Sequence, residues 1–390
     1  MSTTIPIGPF HPVLEEPEYI SLYVDGETVT GADIDLGRVH RGIELLAQEK
    51  TYDQDTFLVE RICGICSASH CWASVLAMED IAGVGPSDRA RYLRTIVHEL
   101  ERLHSHMLWV GLGGHILGYW TVFMWGWKYR EPILDALEAI TGNRNNYAWY
   151  RPGGVRRDVA DEIWPGVLKI LDDFDGQVDL LTGAILDDPV ILGRLKGVGI
   201  LTTEDAIKYG ALGPTARGSG VDIDVRRDEP YGAYSEVDWN VIVQDGCDCL
   251  AVAVVRLLEM KESVKIVRQC IEKLPGGPIA NEIREIPRGE GVGHIEAPRG
   301  ESFHFIRSNG TNMPERHKIR APTFNNIPTY RPRVVGETIA DACLIFAIID
   351  PCYSCTERMA VLGPDGRPYM GGKDLIALSH AKTEALRKSS

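Results

Sequence analysis

Two Cys-x-x-Cys pairs, Cys63/Cys66 near the start of the chain and Cys352/Cys355 near its end, constrain the fold more than any other feature. Brought together they make a four-thiolate site, and thiolate is the soft ligand that selects zinc, copper(I), nickel or iron. Between the pairs lie 285 residues. Structural zinc knuckles draw their ligands from within a few tens of residues, which disfavours a zinc staple. A thioredoxin-type redox pair needs a βαβ setting, and Cys63 lies in none. Spacing alone nevertheless leaves a zinc staple, a redox disulfide and a reactive metal site open, so the flanking residues must decide.

With 390 residues the chain can bury a large core, as one large domain or two ordinary ones. A formal charge of -14 argues against nucleic acid or an anionic membrane surface as the main partner. Nine cysteines, an odd number in a long chain, do not resemble a secreted disulfide framework and point to a reducing compartment. Met1 to Phe10 has neither a basic nor an apolar export region, so no signal peptide is expected.

The pattern reads as mainly α with minor β: a large helical core behind an N-terminal β-hairpin. Residues 18 to 30 alternate and break at Asp25-Gly26, a hairpin signal. Asp33 to Ala47 reads as an amphipathic helix or turn leading to the first cysteine pair, and His70 to Val84 as the helix leaving it. Ser87 to Trp127 reads as one long helical region whose second half, from Met107, is long enough and apolar enough to span a bilayer. Its glycines and His115 favour a buried core helix instead. Arg130 to Leu192 continues helical around a loop at 141–158, and Gly197 to Asp238 is irregular with a helix cap at Thr202 to Asp205. Asn240 to Lys273 is a further long helix, Gly276 to Arg333 is loop with short strands, and Ala340 to Ile349 delivers the second cysteine pair. Met359 to Ser390 is a mixed tail ending in a short basic helix.

The flanks of the cysteines carry a specific resemblance. Arg61-x-Cys63-Gly64-x-Cys66-x-x-x-His70 with Asp350-Pro351-Cys352-x-x-Cys355-x-x-Arg358 closely resembles the large subunit of nickel-iron hydrogenases. Within that family the chain looks most like the energy-converting, membrane-associated group related to respiratory complex I. Gly8-Pro9-Phe10-His11-Pro12, His40 to Glu44, Glu99 to Arg102 with Ser105-His106, Gly153 to Arg156 and Glu296 to Gly300 are similar to that group as well. The resemblance implies a single large-subunit domain over 1–358 and a tail over 359–390 that a maturation protease removes in many relatives.

What the resemblance implies about chemistry is equally definite. All four cysteines bind nickel, and Cys66 and Cys355 also bridge to an iron carrying cyanide and carbon monoxide. Cys63 and Cys352 are terminal, and Cys352 is the first proton acceptor. Pro298-Arg299 and Pro322-Thr323 cap the diatomic ligands, with Arg299 over the open nickel position beside Asp350. Glu16 matches the family's gating glutamate, although Glu15 beside it leaves the register open. His70 orders the cysteine loop by a hydrogen bond, as histidines behind a metal ligand commonly do. Glu44 resembles a glutamate that holds magnesium with a C-terminal histidine, a place taken here by Arg358. The other cysteines, Cys71, Cys247, Cys249, Cys270 and Cys343, read as small core hydrophobes, and His98, His104, His106 and His115 as core or proton-path groups.

No further cysteine grouping suits an iron-sulfur cluster. The resemblance therefore implies a small subunit carrying a four-iron four-sulfur cluster, ferredoxin as final carrier, membrane subunits that move protons or sodium ions, and a place on the cytoplasmic face of the membrane. A nickel-free quinone-site or scaffold subunit of a complex I-like assembly is the alternative, and the presence of all four cysteines counts against it. A soluble hydrogenase reducing a deazaflavin or nicotinamide is a further one, disfavoured because such relatives end the second motif in Cys-x-x-His.

Overall fold

The computed structural model describes residues 3–356 and 361–389. The alternation at the N-terminus forms strands Tyr19–Asp25 and Thr28–Asp35, with Ile20, Leu22 and Val24 turned inward. The sheet is larger than the expected hairpin, because Thr3–Ile7 adds an antiparallel third strand. The helix anticipated over Asp33 to Ala47 shrinks to Ile43–Ala47. Its first residues are claimed by the ladder, where Asp35 pairs with Tyr19.

The helical core is built on Asp88–Ile116, whose N-terminus is capped by the Ser87 side chain accepting from the Ala90 N–H. Every residue from Leu93 to Gly111 is buried, charged ones included. The region expected to run on to Trp127 turns back at Gly118, which sits at φ 83, and returns as Trp120–Thr141. These helices touch backbone to backbone: a Cβ at Gly126 would lie 2.7 Å from the Gly111 Cα. No described helix is long and apolar enough to cross a membrane. The apolar run is also less buried than expected, with Trp120 61% and Met124 60% exposed on the outer face of the hairpin.

Helix Cys249–Glu272 packs across the long helix. It starts later than the expected Asn240, where the Asp248 side chain caps it by accepting from the Ala251 N–H. The segment anticipated as loop with short strands holds a full antiparallel sheet, Gly289–Ala297, Gly300–Ser308 and Pro314–Arg320. Gly291 and Gly293 conceal it, since they leave no apolar side chain at two buried strand positions. They serve close packing instead: a Cβ at Gly293 would stand 2.0 Å from the Ala73 carbonyl oxygen of helix Ser67–Ala82. One continuous apolar core runs from Ile7 to Cys355. The tail carries a longer helix than expected, Gly372–Ser389, with mainly exposed side chains.

Candidate metal centre

The two cysteine pairs meet. Cys352 Sγ lies 3.1 Å from Cys63 Sγ and 3.0 Å from Cys355 Sγ, while Cys66 Sγ and Cys355 Sγ are 3.6 Å apart. All four are buried and none forms a disulfide. The sulfurs of Cys63, Cys66 and Cys355 fall within 4.8 Å of one another, close enough to share one ion. Bonds from the Cys352, Cys355 and Cys66 thiols hold Cys63 well below the usual thiol range, whereas burial first, then its sulfur neighbours, push Cys355 well above it. Four sulfurs this close cannot all ionise without a cation among them, so the donor set fits a thiophilic metal.

Each pair is delivered by a helix end. Cys66 opens Ser67–Ala82, and the first N–H groups of that helix are satisfied by Glu101 from the long helix, with Ala68 N at 2.6 Å and Ser69 N at 2.9 Å. Burial pushes the Glu101 carboxyl up to about 8 against these donors. Cys352 follows helix Ile339–Ile348 after a left-handed turn at Asp350, φ 57. Its N–H donates to Thr323 Oγ1 at 3.2 Å. Arg41 ties the loops together, donating to the carbonyls of Arg61 (2.9 Å), Ile62 (2.7 Å) and Ser354 (3.0 Å).

Arg299 is buried beside the sulfurs, on the turn between strands Gly289–Ala297 and Gly300–Ser308. It donates to Asp350 Oδ1 at 2.6 Å, to the Asp350 carbonyl at 2.8 Å and to Ser105 Oγ at 3.2 Å. Arg256 approaches Asp350 Oδ2 at 3.1 Å from below and lies over the Trp109 ring. Burial lowers Arg256 to about 10, within the range where it stays charged at neutral pH. Pro298 is buried on the turn with Arg299, and Pro322 is buried with Thr323 at the start of the short helix Pro322–Asn326.

The Glu16 carboxylate accepts from the Ser354 N–H at 2.8 Å and from the Ser354 hydroxyl, between the last two cysteines. Glu15 is open to solvent, yet surrounding protein and then the Asp350 charge push its carboxyl up to about 7. Only Glu16 of the two has a side-chain bond to the cysteine loop among the described residues. His70 Nε2 meets Cys355 Sγ at 3.4 Å. The magnesium expectation at Glu44 does not fit. Its carboxylate already accepts from Arg316 Nη2 (3.0 Å), Lys318 Nζ (2.9 Å) and the Ile319 N–H (3.1 Å), which leaves a surplus of positive charge where a dication would bind. Arg358 lies outside the described residues.

The four histidines of the central helical pair bind other groups. His98 pairs with the Tyr234 hydroxyl, His106 with Glu259 and His104 with Arg130 and Tyr147, while His115 packs on Trp120. Cys71, Cys249 and Cys270 are buried as expected, but Cys247, before helix Cys249–Glu272, and Cys343, within helix Ile339–Ile348, are partly exposed. Sequence reasoning missed Glu101 and Arg41 as supports, although both stand in segments whose pattern was informative. It also missed Asp55, His304 and His317 behind His70; three separate elements supply them and no spacing links them.

Residues 117–286 and 279–358 match the family model of the respiratory-chain NADH dehydrogenase 49 Kd subunit, and residues 41–111 match that of nickel-dependent hydrogenases. Among curated relatives, the carbon monoxide-induced hydrogenase of Rhodospirillum rubrum is 41% identical over 92% of this chain and 100% of its own. The chain belongs to the nickel-iron hydrogenase large-subunit family. Within it, this chain falls in the energy-converting, membrane-bound group related to the complex I 49 kDa subunit. The membrane-bound hydrogenase subunit alpha of Pyrococcus furiosus, 37% identical over 98% of this chain and 93% of its own, is a relative of the same kind. The solved membrane-bound sulfane sulfur reductase, an archaeal respiratory membrane complex, superposes with a TM-score of 0.88 at 28% identity, over 92% of this chain and 98% of that one. The α+β fold, with its small antiparallel sheets around a helical core, is that of this group.

Proposed function

We propose that the chain is the catalytic subunit of a membrane-associated energy-converting nickel-iron hydrogenase, which cleaves and forms dihydrogen heterolytically. The observation that carries this reading is the convergence of all four cysteine sulfurs in one buried cluster beside Arg299. A nickel ion and an iron bearing cyanide and carbon monoxide, held by Cys63, Cys66, Cys352 and Cys355, would supply the Lewis-acidic centre at which dihydrogen is polarised.

The protein's own groups do the rest. Cys352 accepts the first proton. Arg299, aligned by Asp350 and Ser105, keeps a fixed positive charge against the sulfurs and excludes water from that side. Pro298 and Pro322 provide apolar walls, while Arg299 and Thr323 offer polar groups to the cyanides. Glu16 carries the proton away from the cysteine loop, at the position where it accepts from Ser354. Electrons leave to a small subunit with a four-iron four-sulfur cluster and on to ferredoxin; membrane subunits couple this to proton or sodium transport. The chain sits peripherally on the cytoplasmic face. Residues 359–390 form a removable tail after a single large-subunit domain. Its helix lines a cleft of about 870 Å³ that also touches Arg41, Glu44 and Cys355.

A second reading, a nickel-free subunit of a complex I-like assembly, draws on the longer match to the 49 Kd subunit model and on the likeness to the sulfane sulfur reductase. Metal content and infrared absorption of the purified complex separate the two. Nickel and iron near one each, with cyanide and carbon monoxide stretching bands, are expected. No metal and no such bands would leave the second reading.

A further inference from the structure

Behind Cys355 runs an unbroken buried chain of imidazoles. His70 Nδ1 meets His304 Nε2 at 3.1 Å, His304 Nδ1 meets His317 Nε2 at 2.9 Å, and His317 Nδ1 meets Asp55 Oδ2 at 2.7 Å. With the His70 Nε2 contact to Cys355, three rings join a cysteine sulfur to a carboxylate. All of these side chains are buried. They come from helix Tyr52–Glu60, helix Ser67–Ala82 and strands Gly300–Ser308 and Pro314–Arg320, so the alignment is a product of the tertiary fold.

Such a chain has a direction. A neutral imidazole has one N–H and one lone pair, and each ring-to-ring contact holds one proton. The Asp55 carboxylate accepts, so His317 Nδ1 carries hydrogen. If His317 is neutral, its Nε2 lone pair accepts from His304 Nδ1–H, and His304 Nε2 accepts from His70 Nδ1–H. His70 then turns a lone pair toward Cys355. That suits a thiol, which donates its S–H; it opposes a thiolate, lone pair against lone pair. A metal-bound Cys355 is a thiolate and calls for the reverse polarity, with His70 Nε2–H donating to sulfur.

We infer that His317 is the proton store of this chain, becoming an imidazolium paired with Asp55 when Cys355 binds a metal as thiolate. The step balances without any external group. The Cys355 proton passes to His70 Nε2, His70 Nδ1–H passes to His304, and His304 Nδ1–H passes to His317 Nε2. His70 and His304 stay neutral before and after.

Two further features agree. Burial holds His304 well below the usual imidazole range, so the middle ring is not suited to keeping the charge. Asp55 Oδ1 is buried with no hydrogen-bond partner, a costly arrangement for a carboxylate unless its neighbour carries the countercharge. His317 faces Asp55 and His304. Tyr52 lies near Asp55 on the same helix, and the Arg320 charge acts on His304. On the strand of His317 itself, Arg316 and Lys318 turn to the opposite face and hold Glu44.

The inference rests on the cysteines binding a metal, not on which metal, so zinc ion serves as the probe. The full chain, labelled with nitrogen-15 in its histidines, is titrated with zinc and followed by NMR. On binding, the His317 Nε2 and His70 Nε2 signals are expected to move from the range of an unprotonated ring nitrogen to that of a ring N–H, while His304 keeps one of each. Asp55→Asn, which removes the countercharge, is expected to abolish the His317 shift and weaken zinc binding about tenfold. Zinc bound with the His317 ring unchanged in the wild-type chain would overturn the inference and leave the hydrogenase reading intact. Failure to bind zinc at all, with His317 neutral, would overturn it together with the four-cysteine site.

Discussion

Replacing Arg299 by alanine tests how the site is held before any metal enters. The wild-type guanidinium makes three bonds, two to Asp350 and one to Ser105, with both members of the ion pair almost fully buried. Removing one partner of a buried pair costs about 3–5 kcal/mol, largely because the other charge is stranded. Here Arg256 stands 3.1 Å from the second Asp350 oxygen and partly compensates, which places the expected loss near the low end, about 3 kcal/mol. With an unfolding entropy of about 2.1 cal/mol/K per residue over 390 residues, that loss lowers Tm by about 4 °C. The assay is calorimetry on the wild-type chain, Arg299→Ala, Asp350→Ala and the double variant. The double variant is expected to lose at least about 1 kcal/mol less than the sum of the singles, as contacting charges do. Additive losses, or an Arg299→Ala chain melting like wild type, would refute the claim that this pair anchors the turn at Asp350.

Four other outcomes are expected. Burial lowers His70 to about 4, His98 to about 3 and His106 to about 4, so all three stay neutral in the fold but protonate in the unfolded chain below about 6.5. Stability should therefore fall as pH drops from 6.5 toward 4, and His98→Leu should lessen that slope by about 1.4 kcal/mol per pH unit, read from urea midpoints. Gly126→Leu, which drives a side chain into the Gly111 backbone, should destabilise by about 1–3 kcal/mol, whereas Gly113→Ala, in open space on the same helical hairpin, should stabilise by about 0.5–1 kcal/mol. Glu16→Gln should cut hydrogen turnover about a hundredfold or more while leaving cyanide and carbon monoxide bands in place, and unchanged turnover would remove Glu16 from the proton path. A chain ending at residue 358 should retain zinc binding and lie within about 1 kcal/mol of full-length stability, since the tail helix exposes most of its side chains.

Much of this protein was written in short-range pattern. Ser67–Ala82, Cys249–Glu272 and Ile339–Ile348 were legible because apolar spacing and polar caps are local properties. The cysteines and their flanks named the candidate metal ligands, since ligand chemistry depends on residue type and the Cys-x-x-Cys spacing survives any fold. The sequence was least informative where an element's role depends on a distant partner. The sheet at 289–320 was legible only as loop with short strands, because Gly291 and Gly293 are there to admit a helix, not to fill a core. The long helical region was read through its turn because Gly118 breaks it only when Trp120–Thr141 packs back along Asp88–Ile116. The sequence alone determined which atoms could bind a metal. The tertiary structure decided that Glu44 is saturated by Arg316 and Lys318, that Glu16 rather than Glu15 reaches Ser354, and that His70, His304, His317 and Asp55 form one line. All but the His304–His317 contact are relations between residues more than two hundred positions apart, created by burial of one shared core, and no local pattern encodes them.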